Sequence, residues 1–288
     1  MIEWANTVVQ GVLLGGLYAL FAMGLSLIFG VMRLTNIAHG DFIVLAAFGA
    51  FALTSHAGIG PFGALVILLP LSVAFGYALQ RAVLNATLTR DPLPSLVVTF
   101  GLSIIIQNGL QEIFSADPRS IPAGKLTTAS MQLVQGITVG VLPVLIFGVA
   151  VLVAAALQWL FVRTAIGSAF RATSDDRETA ELMGLDSRVV YAWASAIAFA
   201  VIAVAGLLQG MRTTVAPADG PGLLLYAFEA VVIGGLGSFW GTFAGGVILG
   251  VTQAIGFRLD PGWGIWLGHV VFLGVLVVRP AGLFPRTR

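Results

Sequence analysis

The feature that most constrains this chain is a succession of apolar stretches, most of them about the length of a bilayer crossing, that runs from Val8 to Val278. They read Val8–Met32, Phe42–Leu53, Phe62–Leu79, Ser95–Gln111, Val139–Val162, Val189–Leu208, a broken stretch Leu223–Gly256, and Trp263–Val278. A membrane helix needs about 20 apolar residues. Composition closes off the alternative. Of 288 residues, 58% are hydrophobic and 9% charged, against about 25% charge in soluble domains. Such a chain cannot cover a water-facing surface with polar groups. The same composition excludes disorder.

In lipid the backbone must satisfy its own hydrogen bonds, so only helices or closed barrels can cross. Long stretches without alternation argue helices. The expectation is an all-α, polytopic membrane protein with eight to ten membrane segments and no sizeable soluble domain, a single transmembrane unit over 1–288. Stretches 42–53 and 223–234 are too short for an ordinary crossing and read as tilted, re-entrant or half-length helices shielded by neighbours. The first stretch follows Glu3 and is too long for the apolar part of a signal peptide, so no cleaved leader is expected.

Basic residues orient the chain. With the N-terminus outside and nine crossings, Arg33, Arg81, Arg90, Arg163, Arg171, Arg177, Arg188, Arg279, Arg286 and Arg288 fall inside, whereas Arg119, Lys125, Arg212 and Arg258 fall outside. Glycines recur at four-residue spacing, at Gly11/Gly15, Gly237/Gly241/Gly245, Gly246/Gly250 and Gly264/Gly268. That spacing lets helix backbones approach closely, within one subunit or between two.

No catalytic constellation is present. His39, His56 and His269 are far apart and lack zinc-site spacing. The only Gly-Lys is Gly124-Lys125, and Arg119 stands where a phosphate-binding loop needs its first glycine. The chain itself is therefore expected to bind no ATP, to carry no cofactor or metal, and to be no enzyme. A net charge of +1 points to no nucleic-acid partner.

Attention shifts to polar groups at membrane depth, which are expensive there. Glu229 is the one acid well inside an apolar stretch. It reads as a carboxyl bonded to a neighbouring helix, as a pathway group, or as a proton-coupling group. The knot Asn36, His39, Gly40 and Asp41 reads as a turn in which Asp41 caps a helix starting at Phe42, or as an element near the pathway or the inner face. Segment 163–188 is the most charged. Ser174 is expected to cap a ten-residue amphipathic helix, with Asp175, Asp176 and Glu178 in its first turn. Arg177 and Glu181 pair at i,i+4, Ala180 and Met183 give an apolar face, and Gly184 ends the helix. A small apolar face ringed by charge suits a protein groove better than a lipid surface. A solvated linker is the alternative.

Three stretches carry a resemblance. They are Gly15-Gly-Leu-Tyr-Ala-Leu-Phe-Ala-Met-Gly-Leu-Ser-Leu-Ile-Phe-Gly-Val31 running into Asn36-Ile-Ala-His-Gly-Asp-Phe42; Arg163-Thr with Gly167, Arg171-Ala172 and Ala180-Glu-Leu-Met-Gly-Leu185; and Ala230-Val-Val-Ile-Gly-Gly-Leu-Gly-Ser238 with Gly241. The chain resembles the smaller of the two paired permease subunits of branched-chain amino-acid ATP-binding-cassette importers. The resemblance implies an inner-membrane, multi-pass bacterial protein that translocates amino acids. It also implies partners: a second related permease, two cytoplasmic ATPases that bind the ATP, and a periplasmic solute-binding protein. It casts 175–184 as the ATPase-coupling segment and Gly234, Gly235 and Gly237 as pathway candidates beside Glu229. Relatives of this kind also serve urea, short amides and other small carboxylates. An ion-coupled secondary transporter is the rival, and it would leave 163–188 without a task.

Overall fold

The computed structural model describes residues 2–88, 93–134 and 137–284. Part of the loop around Arg90, and the terminal Arg286 and Arg288, lie outside the described residues. The helices are α1 (Ile2–Met32), α2 (His39–His56), α3 (Pro61–Ala82), α4 (Leu93–Phe114), α5 (Lys125–Thr128), α6 (Val141–Arg163), α7 (Ala165–Asp175), α8 (Arg177–Leu182), α9 (Ser187–Arg212), α10 (Gly220–Gly234), α11 (Phe239–Leu259) and α12 (Trp263–Val278). Short 3-10 turns occupy Leu84–Thr87 and Pro217–Asp219. Among the described residues, the helices starting at Ile2, Pro61, Leu93, Val141, Ser187 and Phe239 are long and apolar enough to cross a membrane; α12 is a shorter apolar helix. The all-α polytopic architecture thus stands.

The segment read as a polar loop contains a small antiparallel hairpin, β1 (Ser130–Val134) with β2 (Ile137–Gly140). Its strand residues include Met131, Leu133, Ile137 and Val139, apolar positions that alternate locally as an edge hairpin requires.

α1 and α11 form the spine, packed backbone to backbone. A Cβ on Gly15 would meet the Val247 Cα at 2.4 Å, and one on Gly250 would meet the Gly15 nitrogen at 2.4 Å. Gly11 and Gly246 sit equally close to Val251 and Ala19. These glycine pairs therefore pack within the subunit. Without a hydrophobic drive between helices in lipid, close dispersion contact holds them.

All six tryptophans are exposed and fall into two belts. Trp4 starts α1, and Trp263 and Trp266 start α12, where Arg258 lies 5.7 Å over the Trp4 ring. Trp159, Trp193 and Trp240 lie at the opposite end; Phe161 and Phe239, neighbours of two of them, are in ring contact. Amphipathic indoles favour the two headgroup levels, so the belts mark the membrane edges. Among the described residues, Arg33, Arg81, Arg163, Arg171, Arg177, Arg188 and Arg279 gather at the end where α1 finishes. Arg119, Lys125, Arg212 and Arg258 lie toward the other end.

α2 and α10 begin inside the bundle, with the first turns of both buried in part or whole. The chain leaves α1 at Met32 and returns upward, because the His39 ring donates to the Phe21 carbonyl at 2.8 Å. Phe21 is 17 residues from Trp4 and 11 from Met32, or roughly 25 Å and 16 Å along the axis. α2 thus starts in the middle third of the membrane. Packing sets the directions. α9 opposes α1, with Tyr191 beside Val31 and Met32 but Ala198 beside Gly24. α2 follows α9, with Ile43 against Gly206 and Ala47 against Gly210. α10 opposes α11, with Ala230 against Gly245 and Gly234 against Gly241. Since α11 opposes α1, α2 and α10 point in opposite directions.

Candidate functional site

Three polar constellations carry the candidate chemistry. The first is the crossing of α2 and α10; α2 runs 18 residues, longer than the stretch 42–53 expected from hydropathy, and α10 runs 15. α2 begins at His39, three residues before the expected start, and its N-cap residue is Ala38. Asp41 therefore does not cap it. The turn is made by Asn36, whose side-chain oxygen accepts from the Ala38 N–H at 3.0 Å while its carbonyl accepts from the His39 N–H at 3.2 Å. Asp41 is freed to face across to other elements. Its carboxylate accepts from Gln107 of α4 at 2.9 Å, and its second oxygen has no partner among the described residues. The first turns of α2 and α10 meet here. A Cβ on Gly40 would lie 1.9 Å from the Gly220 carbonyl oxygen, and one on Gly220 would lie 1.9 Å from Asp41 Oδ1. Two helix N-termini, each with positive dipole character, thus flank one buried carboxylate.

The second constellation is Glu229 of α10. It is buried and bonds to Nδ1 of His269 on α12. Nearby, the Tyr18 hydroxyl donates to Gln253 at 2.6 Å, and the Tyr18 and Tyr226 rings stack at 4.9 Å. The reading of Glu229 as a carboxyl bonded to a neighbouring helix therefore has its partner. His269 is 40 residues away, and no spacing could have joined the two. Glu229→Gln should keep most transport, because the amide oxygen still accepts from the ring. Glu229→Leu strands a ring nitrogen and should cost about 1–3 kcal/mol of stability. Thermal melting of the purified subunit and uptake in the same variants check this. Loss of uptake in Glu229→Gln with unchanged melting would assign the charge itself to transport.

Gly234 and Gly235 are buried and Gly237 is half-buried. They form the turn between α10 and α11, with Gly235 at φ 107° and Gly237 at φ 79°, values that favour glycine. Ser238 then caps α11 by accepting from the Gly241 N–H at 3.1 Å. The space around Gly234 and Gly235 is filled by the Gly241 carbonyl and by Gly282.

The third constellation is segment 163–188, which folds as two helices rather than one. Thr164 caps α7 and Asp176 caps α8, accepting from the Thr179 N–H at 3.1 Å and its hydroxyl at 2.6 Å. Ser174 is not a cap. It lies in the last turn of α7, where its hydroxyl donates to the Gly30 carbonyl at 2.7 Å and ties the segment to the end of α1. Asp175 ends α7, and Glu178 stands exposed in the first turn of α8. Arg177 and Glu181 pair at 3.0 Å. Glu181 also accepts from Ser187. That bond and the arginine hold the Glu181 carboxyl below its usual range, as the Thr179 bonds do for Asp176. Gly184, at φ 91°, ends α8 with the Leu185 N–H reaching the Ala180 carbonyl at 3.1 Å, a six-to-one closure that glycine permits.

The apolar face is shifted from the expected one. Ala180 is 5% exposed and packs inward, whereas Leu182 and Met183 are 87% and 81% exposed. Met183, the C-cap of α8, still bonds its N–H to the Thr179 carbonyl at 3.1 Å, yet its side chain stands outward with that of Leu182. An open cleft of about 630 Å³ lies between this segment and the end of α1, lined by Met32, Arg33, Ser174, Asp176, Glu178 and Tyr191.

A family model described as the permease component of branched-chain amino acid transport systems matches residues 7–279. The chain is similar to the high-affinity branched-chain amino acid transport system permease protein BraD of Pseudomonas aeruginosa, at 30% identity over 99% of this chain and 96% of that protein. It is 28% identical to LivH of Escherichia coli, a permease protein of the same description, over 96% of this chain and 94% of that one. It is also 28% identical to the autoinducer 2 import system permease protein LsrC of Salmonella paratyphi B, over 64% of this chain and 54% of that one.

Proposed function

Because the chain belongs to the family of permease components of branched-chain amino acid transport systems, we propose that it is the smaller of two paired permeases in an ATP-driven importer of branched-chain amino acids in a bacterial inner membrane. The second permease lies beside it, and the two subunits form the path at their shared face. Two ATPases dock at the arginine-rich end, and a periplasmic binding protein delivers solute to the other. The chain does no covalent chemistry and holds no cofactor; ATP is bound by the partners. The observation that carries this reading is α8. It projects two large apolar side chains, Leu182 and Met183, from the arginine-rich end, on a helix whose caps and ion pairs are satisfied within the chain. Its base is tied through Ser174 to the end of α1. Movement of α8 by a docked ATPase therefore reaches the spine directly.

Uptake of labelled leucine into cells tests the reading. Deleting the gene should abolish high-affinity uptake, and restoring it should recover uptake that fails on ATP depletion but survives collapse of the ion gradients. Uptake that follows the ion gradients, or competition by urea, short amides or small carboxylates in place of leucine, would overturn the drive or the substrate respectively.

A further inference from the structure

On α4 the backbone is loosely surrounded: a Cβ on Gly101 or Gly109 would meet nothing within 4 Å. Its outward face is apolar over Val97, Phe100, Ile104 and Ile105 and again at Ile113, all exposed. Between Ile105 and Ile113 lies a polar patch of exposed Asn108, Gln111 and Glu112, with half-buried Gln107 alongside; Asn108 donates one bond to the Ile104 carbonyl at 2.8 Å. The depth of these amides follows from Asp41. Gln107 bonds to it, Asp41 lies in the first turn of α2, and α2 starts level with Phe21 in the middle third of the membrane. Asn108 is the next residue, and Gln111 is one turn further on. The subunit therefore exposes amide side chains near the bilayer centre. An amide facing hydrocarbon is costly, and polar side chains at this depth face a bundle interior or a water-filled cavity. The amides also stand beside the crossing of α2 and α10, where chain interrupted at membrane depth is tolerated only when buried in protein or lining a cavity. Proximity is direct: Gln107 and Gly220 both contact Asp41.

We propose that Asn108 and Gln111, backed by Gln107 on Asp41, line the path along which the amino acid crosses. Their amides offer both donors and acceptors to a zwitterion, with the exposed Glu112 carboxylate one residue beyond Gln111. The assignment rests on the reading of the chain as one of two permeases enclosing a shared path.

The native chain has no cysteine, so single cysteines report cleanly. Asn108→Cys, Gln111→Cys and, on the exposed face of α6, Leu152→Cys would be assembled in the complete transporter in membrane vesicles. They would be treated with a charged, membrane-impermeant methanethiosulfonate. The first two should react roughly tenfold or more faster than Leu152→Cys, because only a hydrated thiolate reacts. Leucine with its binding protein should change those rates. Asn108→Leu should lower leucine uptake roughly fivefold, the worth of one hydrogen bond, at unchanged membrane abundance. Equal inertness at 108, 111 and 152, or full uptake by Asn108→Leu, would overturn the assignment. Leucine uptake by the unmodified transporter is measured in the same vesicles. Its absence would sink the importer reading, whereas its presence with inert cysteines would sink only the path along α4.

Discussion

Replacing Leu182 and Met183 together by aspartate should leave the subunit in the membrane at normal abundance, abolish leucine uptake, and release the ATPases during purification. Both side chains stand almost fully clear of the protein, so neither replacement removes a folding contact. If a partner groove covers them, each aspartate places an unpaired charge in a packed interface. The cost is roughly 3–5 kcal/mol, by analogy with a broken buried pair, and it exceeds what a modest docking surface can absorb. If the turn is only solvated, changes there stay within about 0.5 kcal/mol, and uptake and ATPase recovery would be unaltered. Ala180→Asp would not discriminate. Ala180 is buried against the protein itself, so the charge would damage α8 whether or not anything docks there. The pair of variants separates the two cases: Ala180→Asp should lower abundance or melting temperature, and Leu182→Asp with Met183→Asp should not.

Gly40→Ala should be among the most damaging methyl additions in the chain. The added carbon would sit 1.9 Å from the Gly220 carbonyl oxygen and 2.7 Å from the Leu224 nitrogen, both backbone atoms of a helix held on its far side by α11. Neither neighbour is a flexible side-chain tip, so the two helices must separate. Overpacking usually costs about 1–3 kcal/mol and more where the backbone must move. Separation would also stretch the bond between Asp41 and Gln107. Thermal unfolding of the purified subunit should show a marked loss, with uptake lost in parallel. Gly109→Ala, which meets nothing within 4 Å, is the matched control and should melt like the native chain. A Gly40→Ala subunit as stable as that control would mean the crossing is looser than described.

The helices were legible because each stretch of apolar residues must hide its own backbone from lipid. Trp263–Val278 was read to the residue, and the turn at Gly234–Ser238 announced itself through glycines that reach positive φ. The helical segment at 163–188 was recognisable from its charge and its terminal Gly184. The errors share a cause. Asp41 looked like a cap because it precedes an apolar run, yet Asn36 makes the turn and Asp41 turns to Gln107, 66 residues away. Ser174 looked like a cap for the same local reason, and instead reaches the Gly30 carbonyl across 144 residues.

Sequence by itself determined that this chain lives in a bilayer, crosses it as helices, and belongs with permeases, because lipid allows few answers and hydropathy, glycine spacing and basic residues report them locally. Only the tertiary structure decided which polar groups meet. Asp41 with Gly220, Glu229 with His269, and the outward turn of Leu182 and Met183 depend on how helices cross and where they stop. Crossing is set by backbone contacts between residues far apart in the chain, a distance that periodicity does not encode.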